Sequence, residues 1–452
     1  MKELAELPVI NSTQIGLIPP PPAEASVPQN SRELDQESLR QMCLEAGADD
    51  VGFVDINRPE LEQDGADILK AFSQTKTLIS FVIRMNREPL RSPARSIANL
   101  EFHHTGERVN EVARNIVKFL EARGVRAVNP AMGFPMEMDN FPGKIWVVSH
   151  KTVALAAGLG QMGIHRNVIH PKFGNFILLG TILMDAEVSA TNLPLNYNPC
   201  LECKLCVAAC PVGAIGQDGH FNFSACYTHN YREFMGGFTD WIENIADSQT
   251  AKQYRKKVTD AESSSMWQSL SYGANYKAAY CMAVCPAGED VIGPFKANRK
   301  GYVADIVKPL QTKRETIYVV PGSDAEMYVA KRYPHKTLKR VGNGLRPRSI
   351  KGFLEGLPLV FQRNKADNLT ARYHLTFTGK EPVQATIIIR NKSVEVLEDH
   401  QGVADFRLSA DSQTWLGFLA KERNLLWALL RRKIRMKGPV RLFLAFSRCF
   451  PS

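Results

Sequence analysis

The stretch "CLECKLCVAACP", residues 200 to 211, places four cysteines at C-x2-C-x2-C-x3-C directly ahead of a proline. No other spacing in the 452 residues constrains the fold as tightly, because these thiols must share one small volume. Thiolates are soft anionic donors. A tight loop of this spacing delivers three of them to one iron–sulfur cube and carries the fourth to a neighbouring cube. A structural zinc site is the plain alternative, since zinc also accepts four thiolates.

The fragment "CMAVCP", residues 281 to 286, is the second half of a ferredoxin-type module. By the same crossing, Cys285 completes a first 4Fe-4S cluster with Cys200, Cys203 and Cys206. The second cluster receives Cys210, Cys281 and Cys226, which comes after the turn "GQDGHFNF". Ala278 occupies the position where a full C-x2-C-x3-C-P motif has cysteine, so the second set is one thiolate short. Three outcomes stay open: a 4Fe-4S cluster with a non-cysteine ligand, a cluster with one open iron, or a 3Fe-4S cluster. His229, Tyr276 and Tyr280 are the nearby candidate ligands.

Of nine cysteines, seven lie between Cys200 and Cys285, while Cys43 and Cys449 stand apart. That usage fits metal ligation in a reducing compartment rather than a disulfide framework. No run reaches the roughly 18 apolar residues of a spanning helix, and the start "MKELAELPVINSTQ" lacks an apolar signal segment. A cytoplasmic protein is expected. The net charge of +10 is uneven: residues 331–351 carry eight Lys/Arg and no acid, and residues 431–441 carry six and no acid. Such runs attract nucleic acid, anionic lipid or an acidic redox partner, or are simply solvated faces.

The length predicts roughly three domains. Residues 1–32, with "PPPPAEASVPQNS", read as a disordered Pro-rich leader. Residues 33–195 interleave helix patterns (Leu39, Met42, Cys43 and Ala46; Val109, Val112, Ile116, Phe119 and Leu120) with strand patterns ("VGFV", "TLISFVIRM", "KIWVVS", "FILLGTILMD"), which predicts an α/β cofactor-binding domain. Residues 196–300 form the iron–sulfur domain, with a polar helical insertion around "TAKQYRKKVTDAESSSMWQSL". Residues 301–349 read as a basic linker. Residues 350–452 read as an α+β unit: four strands, with Tyr373, Leu375 and Phe377 on one face, then one long helix "TWLGFLAKERNLLWALLRRK".

"GLGQMG", Gly158 to Gly163, matches the dinucleotide pattern G-x-G-x-x-G, but its context is inverted: a helix-like segment precedes it and a strand-like one comes after. A tight turn with close backbone approach is the better reading.

Through "LEAGADDVGFVDI", "AGLGQMGIHRNVIHPKFGNFILLGTILMD", the cysteine run and "CMAVCP", residues from about 38 to 295 resemble the family of epoxyqueuosine reductases and reductive dehalogenases. In that family a nitroreductase-like α/β domain binds cobalamin, and a two-cluster ferredoxin module feeds it electrons. The resemblance implies that Gly158, Gly160, Gly163, His165 and His170 line a corrinoid site, with capping of the turn as the other role for the two histidines. Epoxyqueuosine reductases carry a catalytic aspartate in a D-S-A-P-like segment ahead of this turn, where the present chain reads "VVSHKT". His150 is the nearest proton-handling side chain there, or else a histidine packed at a strand end, and Lys151 is a weaker candidate. Residues 350–452, through "YHLTFTG", "ADFRLSAD" and "KIRMKGPVRLFLAF", resemble the sterol-carrier-protein type 2 fold. That resemblance implies a tunnel for lipid or another hydrophobic molecule, which Phe406, Trp415, Phe418 and Trp427 would line.

The combined expectation is an iron–sulfur oxidoreductase. It takes electrons from an external ferredoxin- or flavodoxin-type donor through two clusters to a cofactor, cobalamin by resemblance, or to a hydrophobic substrate. Two other classes stand beside it: a non-catalytic electron carrier with a lipid-binding tail, and a tRNA-modifying enzyme.

Overall fold

The structure is a computed structural model that describes residues 33–200 and 202–451; the Pro-rich leader lies outside the described residues. The helix Gln36–Glu45 starts where the Asp35 carboxylate accepts from the Ser38 amide, and it buries Leu39 and Cys43 as its apolar face predicts. The domain's sheet runs in the order Asp50–Asp55, Thr77–Arg84, Ile177–Met184, Ala127–Val128, and every pairing is antiparallel. This corrects the α/β expectation to α+β. Helices interleave with the strands, but they do not act as the right-handed crossovers that a parallel sheet needs.

The strand Thr77–Arg84 shows why this sheet is covered on both sides. Ile79, Phe81 and Ile83 pack against Val109, Val112 and Ile116 of the long helix Arg95–Glu121. Leu78 and Val82 point the other way, into a core with Val153 and Ala154 of the helix His150–Ala156. Period-two alternation thus feeds two cores, and each fully buried Ile, Leu or Phe contributes about 1.5–3 kcal/mol. "KIWVVS" is not a strand. Ile145 and Val148 are buried and Trp146 is exposed, but the segment pairs with no strand and ends at Ser149, whose Oγ caps the next helix.

The iron–sulfur module extends further than the sequence suggests. The stretch expected to be a basic linker folds into helices, the strand pair Thr316–Val319 and Thr337–Arg340, and the helix Asp324–Arg332. Val307, Leu310, Ile317, Val319 and Val329 share one core with Cys206, Cys210 and Ala278. Four of its cations are taken up by ion pairs: Lys336 with Glu315, Lys339 with Glu262, Arg340 with Glu326, and Arg346 with Glu243.

The C-terminal unit is a five-stranded sheet, ordered Ser393–Glu398, Val383–Arg390, Ala371–Thr378, Phe406–Asp411, Ile434–Lys437. Tyr373, Leu375 and Phe377 are buried on one face, as alternation predicts. The single long helix is broken into Ser412–Leu419 and Leu425–Leu430. The first ends in a Schellman turn, in which the Lys421 amide donates to Phe418 O and the Glu422 amide to Gly417 O, with Lys421 at φ 62°.

Candidate iron–sulfur centre

Two backbone devices gather the cysteines. Glu202 and Lys204 take left-handed conformations (φ 50° and 54°), and the chain then enters the helix Leu205–Ala209 carrying Cys206. Ala279 does the same (φ 56°) ahead of the helix Tyr280–Ala283 carrying Cys281. Non-glycine residues held there cost on the order of 1–3 kcal/mol each and persist where the surroundings over-determine them. The two short helices pack together, and Cys210 leaves the first in an extended conformation just before Pro211.

The thiols stand close enough to act on one another. Burial, then the charges of Cys281, Cys285 and Cys203, push Cys206 up. Burial pushes Cys285 up to about 12, with Cys203, Cys200 and Cys281 adding to it. Burial, then Cys210 and Cys281, push Cys226 up, and burial with Cys210 pushes Cys281 up to about 12. Cys281 acts on thiols of both expected sets, so the seven form one continuous group, and its division into Cys200, Cys203, Cys206 and Cys285 beside Cys210, Cys226 and Cys281 rests on the sequence spacing. Such thiols ionise only when a bound cation replaces their lost hydration, so cluster binding and proton release are coupled. Among the described residues no group of three or more His, Cys, Asp or Glu closes around a single ion, whereas an iron–sulfur cluster spreads its thiolates around a larger core. The donor set fits iron–sulfur clusters better than tetrahedral zinc.

The glycine turn has a structural part in this centre. Gly158 (φ 70°) ends the helix His150–Ala156: its amide donates to Leu155 O and the next amide, Leu159, to Ala154 O. A Cβ at Gly158 would lie 2.5 Å from Leu193 O, and one at Gly160 2.6 Å from Ile169 O. The space beside these glycines is filled by the chain itself. Beyond the turn runs the hairpin of Gln161–Met162 and Val168–Ile169, and its tip meets both thiol sets. The Ile164 amide donates to Cys200 Sγ at 3.3 Å, and Asn167 Nδ2 approaches Cys281 Sγ at 3.9 Å. Within the module itself, the Ala214 amide donates to Cys210 Sγ at 3.2 Å. Donors to sulfur stabilise the more negative, reduced state of a cluster.

The five residues expected at a corrinoid face protein. Gly163 lies over the His165 ring. His165 accepts the Asn167 amide at Nδ1 and has Asn175 Nδ2 3.3 Å from Nε2, and burial, then Lys151, hold it down at about 4. His170 pairs through Nε2 with Asp50 at 2.9 Å, while Nδ1 accepts the Lys172 and Phe173 amides. These side chains do not make a corrinoid cradle, and no step is derived through that group. His150 is likewise committed: buried, with Thr181 Oγ1 2.8 Å from Nδ1 and Ala131 O 3.0 Å from Nε2. It has the packed role rather than a nitrogen free for substrate.

Lys151 and Tyr231 are the polar groups beside the second thiol set. Lys151 is exposed, yet burial by surrounding protein is the largest influence on its ammonium and lowers it, against Cys281 and Cys226, which raise it. Its Nζ donates to Arg166 O at 2.7 Å and Asn167 Oδ1 at 3.2 Å, tying the helix to the hairpin tip. The Tyr231 hydroxyl is raised by burial, then by Tyr276 and Cys226. Sequence reasoning missed Tyr231, whose only signal was its place five residues after Cys226.

Residues 193–216 match the 4Fe-4S binding domain family, and residues 359–451 match the SCP-2 sterol transfer family. An epoxyqueuosine reductase of Gloeobacter violaceus is 26% identical over 164 residues, 36% of this chain and 49% of the relative. The chain joins an epoxyqueuosine-reductase-like iron–sulfur region to an SCP-2 domain. A second epoxyqueuosine reductase, from a Synechococcus, is 40% identical over 70 residues, 14% of this chain and 20% of the relative. The chain thus spans about half the length of the first relative and less of the second. A catabolic reductive dehalogenase is a structural neighbour at 16% identity and a TM-score of 0.37, covering 60% of this chain and 34% of that one.

In the SCP-2 domain, Trp415 is buried against Phe353 and Phe418, with ring centroids 5.6 and 5.5 Å away, and Phe406 is buried beside Tyr373. Trp427, expected in a tunnel, is 62% exposed. The Trp415 Nε1–H is buried without a hydrogen-bond partner.

Proposed function

We propose that the chain is a cytoplasmic iron–sulfur oxidoreductase whose substrate is met beside Lys151 and Tyr231. The observation that carries this reading is the gathering of seven thiols of two ferredoxin-type half-motifs on two short helices packed together, with the Lys151 ammonium close to Cys281 and Cys226. When bound, the clusters supply one-electron transfer, with electrons drawn from a ferredoxin- or flavodoxin-type donor. The chain's own residues do the rest. Lys151 places positive charge beside the second thiol set, where it would hold an anionic or carbonyl group, and the Tyr231 phenol stays protonated and able to donate. The SCP-2 domain would take a hydrophobic molecule with one hydrogen-bond acceptor, because the Trp415 Nε1–H is a buried donor without a partner. No helix among the described residues is long and apolar enough to cross a membrane.

The test is reductive titration of the anaerobically reconstituted chain with and without candidate hydrophobic substrates. Reoxidation of the reduced centres by one such substrate, abolished in Cys203→Ser and slowed at least tenfold in Lys151→Met, is the expected result. Reduced centres that pass electrons only to redox proteins would establish the second reading, a carrier with a lipid-binding tail. That reading is favoured by His150, whose ring nitrogens are both occupied.

A further inference from the structure

The iron–sulfur reading leaves its two halves unequal, and the backbone shows where the inequality arises. In the first half, Cys203 is followed by left-handed Lys204, then Leu205 and Cys206 on a short helix. In the second half, Ala278 is followed by left-handed Ala279, then Tyr280 and Cys281 on a short helix. Both helices lead on to a cysteine four residues later and then proline, Cys210–Pro211 and Cys285–Pro286. Ala278 therefore stands in the conformational place of Cys203. It is 5% exposed, its amide is held by Asn230 Oδ1 at 2.9 Å, and it shares one apolar cluster with Cys206, Cys210, Cys226 and Cys281.

None of the three candidate side chains, His229, Tyr276 and Tyr280, is set to replace the missing thiolate. The Tyr280 hydroxyl donates to Glu315 at 2.6 Å. His229 stacks on Tyr318 and accepts its amide at Nδ1, which leaves the proton on Nε2, so that buried nitrogen without a partner presents an N–H and not a lone pair. The Tyr276 ring packs among Phe102, Tyr231 and Phe234.

We propose that the second centre is a three-thiolate, three-iron cluster held by Cys210, Cys226 and Cys281, in a backbone that keeps the geometry for an eighth thiolate at Ala278. This rests on the iron–sulfur reading above. It deepens that reading by making the centre beside Lys151 a different kind from the first.

The experiment is iron analysis and electron paramagnetic resonance of the full chain, reconstituted without oxygen and then oxidised. The expected result is about seven irons per chain with the signal of an oxidised three-iron cluster, and about eight irons without that signal in Ala278→Cys. Cys226→Ser, which removes a ligand of the second centre alone, should retain about four irons and lack the signal, so the idea remains testable if the cysteine variant folds poorly. Wild-type protein with about eight irons and no three-iron signal, before or after oxidation, would overturn the proposal, as would a signal that survives unchanged in Ala278→Cys. Failure of the oxidoreductase reading is distinct. It would emerge as centres of the expected iron content that transfer electrons to no small molecule, whereas a chain that takes up zinc and no iron removes both.

Discussion

Asn167 offers a direct probe of whether the hairpin tip tunes the second centre. Its Nδ2 approaches Cys281 Sγ at 3.9 Å, and its Oδ1 accepts from Lys151 at 3.2 Å. Asn167→Ala removes the donor to sulfur and leaves Lys151 bonded to Arg166 O. Hydrogen bonds to charged acceptors contribute about 1.5–3 kcal/mol at good geometry, so a contact this long should favour the reduced state by about 0.5–1 kcal/mol. At 59 mV per tenfold for one electron, the potential should fall by about 20–40 mV. The assay is a redox titration monitored by electron paramagnetic resonance, which separates the two centres. Asn167→Asp should lower the same potential further by adding negative charge. A second-centre potential that stays within about 10 mV in Asn167→Ala, or a shift confined to the first centre, would refute the argument.

Packing and charge set the other expected outcomes. Gly160→Ala forces a Cβ to within 2.6 Å of Ile169 O, so it should cost about 1–3 kcal/mol in denaturant unfolding and loosen the hairpin tip. Lys336→Met should cost up to about 3 kcal/mol, because the Lys336 side chain is 1% exposed and its loss leaves the buried Glu315 to Lys313 and the Tyr280 hydroxyl alone. Burial alone would raise Glu315, but Lys336, Tyr280 and Lys313 hold it below the ordinary glutamate value. Its stabilising contribution is therefore full above the unfolded glutamate pKa and is lost as pH falls through the folded one. Acid unfolding monitored by circular dichroism should shift to higher pH in that variant. Trp415→Phe should weaken binding of a carbonyl-bearing apolar ligand by about fivefold to tenfold by calorimetry and leave a pure hydrocarbon unaffected. Binding of tRNA should show a salt dependence through residues 331–351 smaller than their eight cations would give, since Lys336, Lys339, Arg340 and Arg346 are already paired.

What the sequence made legible was whatever rests on local spacing. The gathering of the two cysteine motifs on short helices that pack together follows from their spacing, and the buried faces of Thr77–Arg84 and Ala371–Thr378 follow from alternation. What it hid depends on partners distant in the chain. "KIWVVS" has the pattern of a strand and no neighbour to pair with. The run 331–351 reads as a basic linker until Glu315, Glu262, Glu326 and Glu243 are brought to it. The antiparallel sheet could not be read from interleaved elements, since the direction of a strand is set by its path and not by its composition. His150 was a candidate because of its neighbours in sequence, and it is excluded by Thr181 and Ala131, 31 and 19 residues away.

The glycine turn couples the α+β domain to the iron–sulfur module. Its first glycine stops the helix His150–Ala156, which carries Lys151, and its second lets the hairpin lie against Ile169. The hairpin tip then supplies an amide to Cys200 of the first set and a side-chain donor to Cys281 of the second. One short segment of the α+β domain thereby touches Cys200 and Cys281 and fixes Lys151 through Arg166 O and Asn167. The two units are therefore not separable without loss: sulfur ligands that belong to one take their hydrogen bonds from the other. Cutting the chain near residue 195 should cost the isolated module the donors to Cys200 and Cys281, and with them part of the stabilisation of its reduced state.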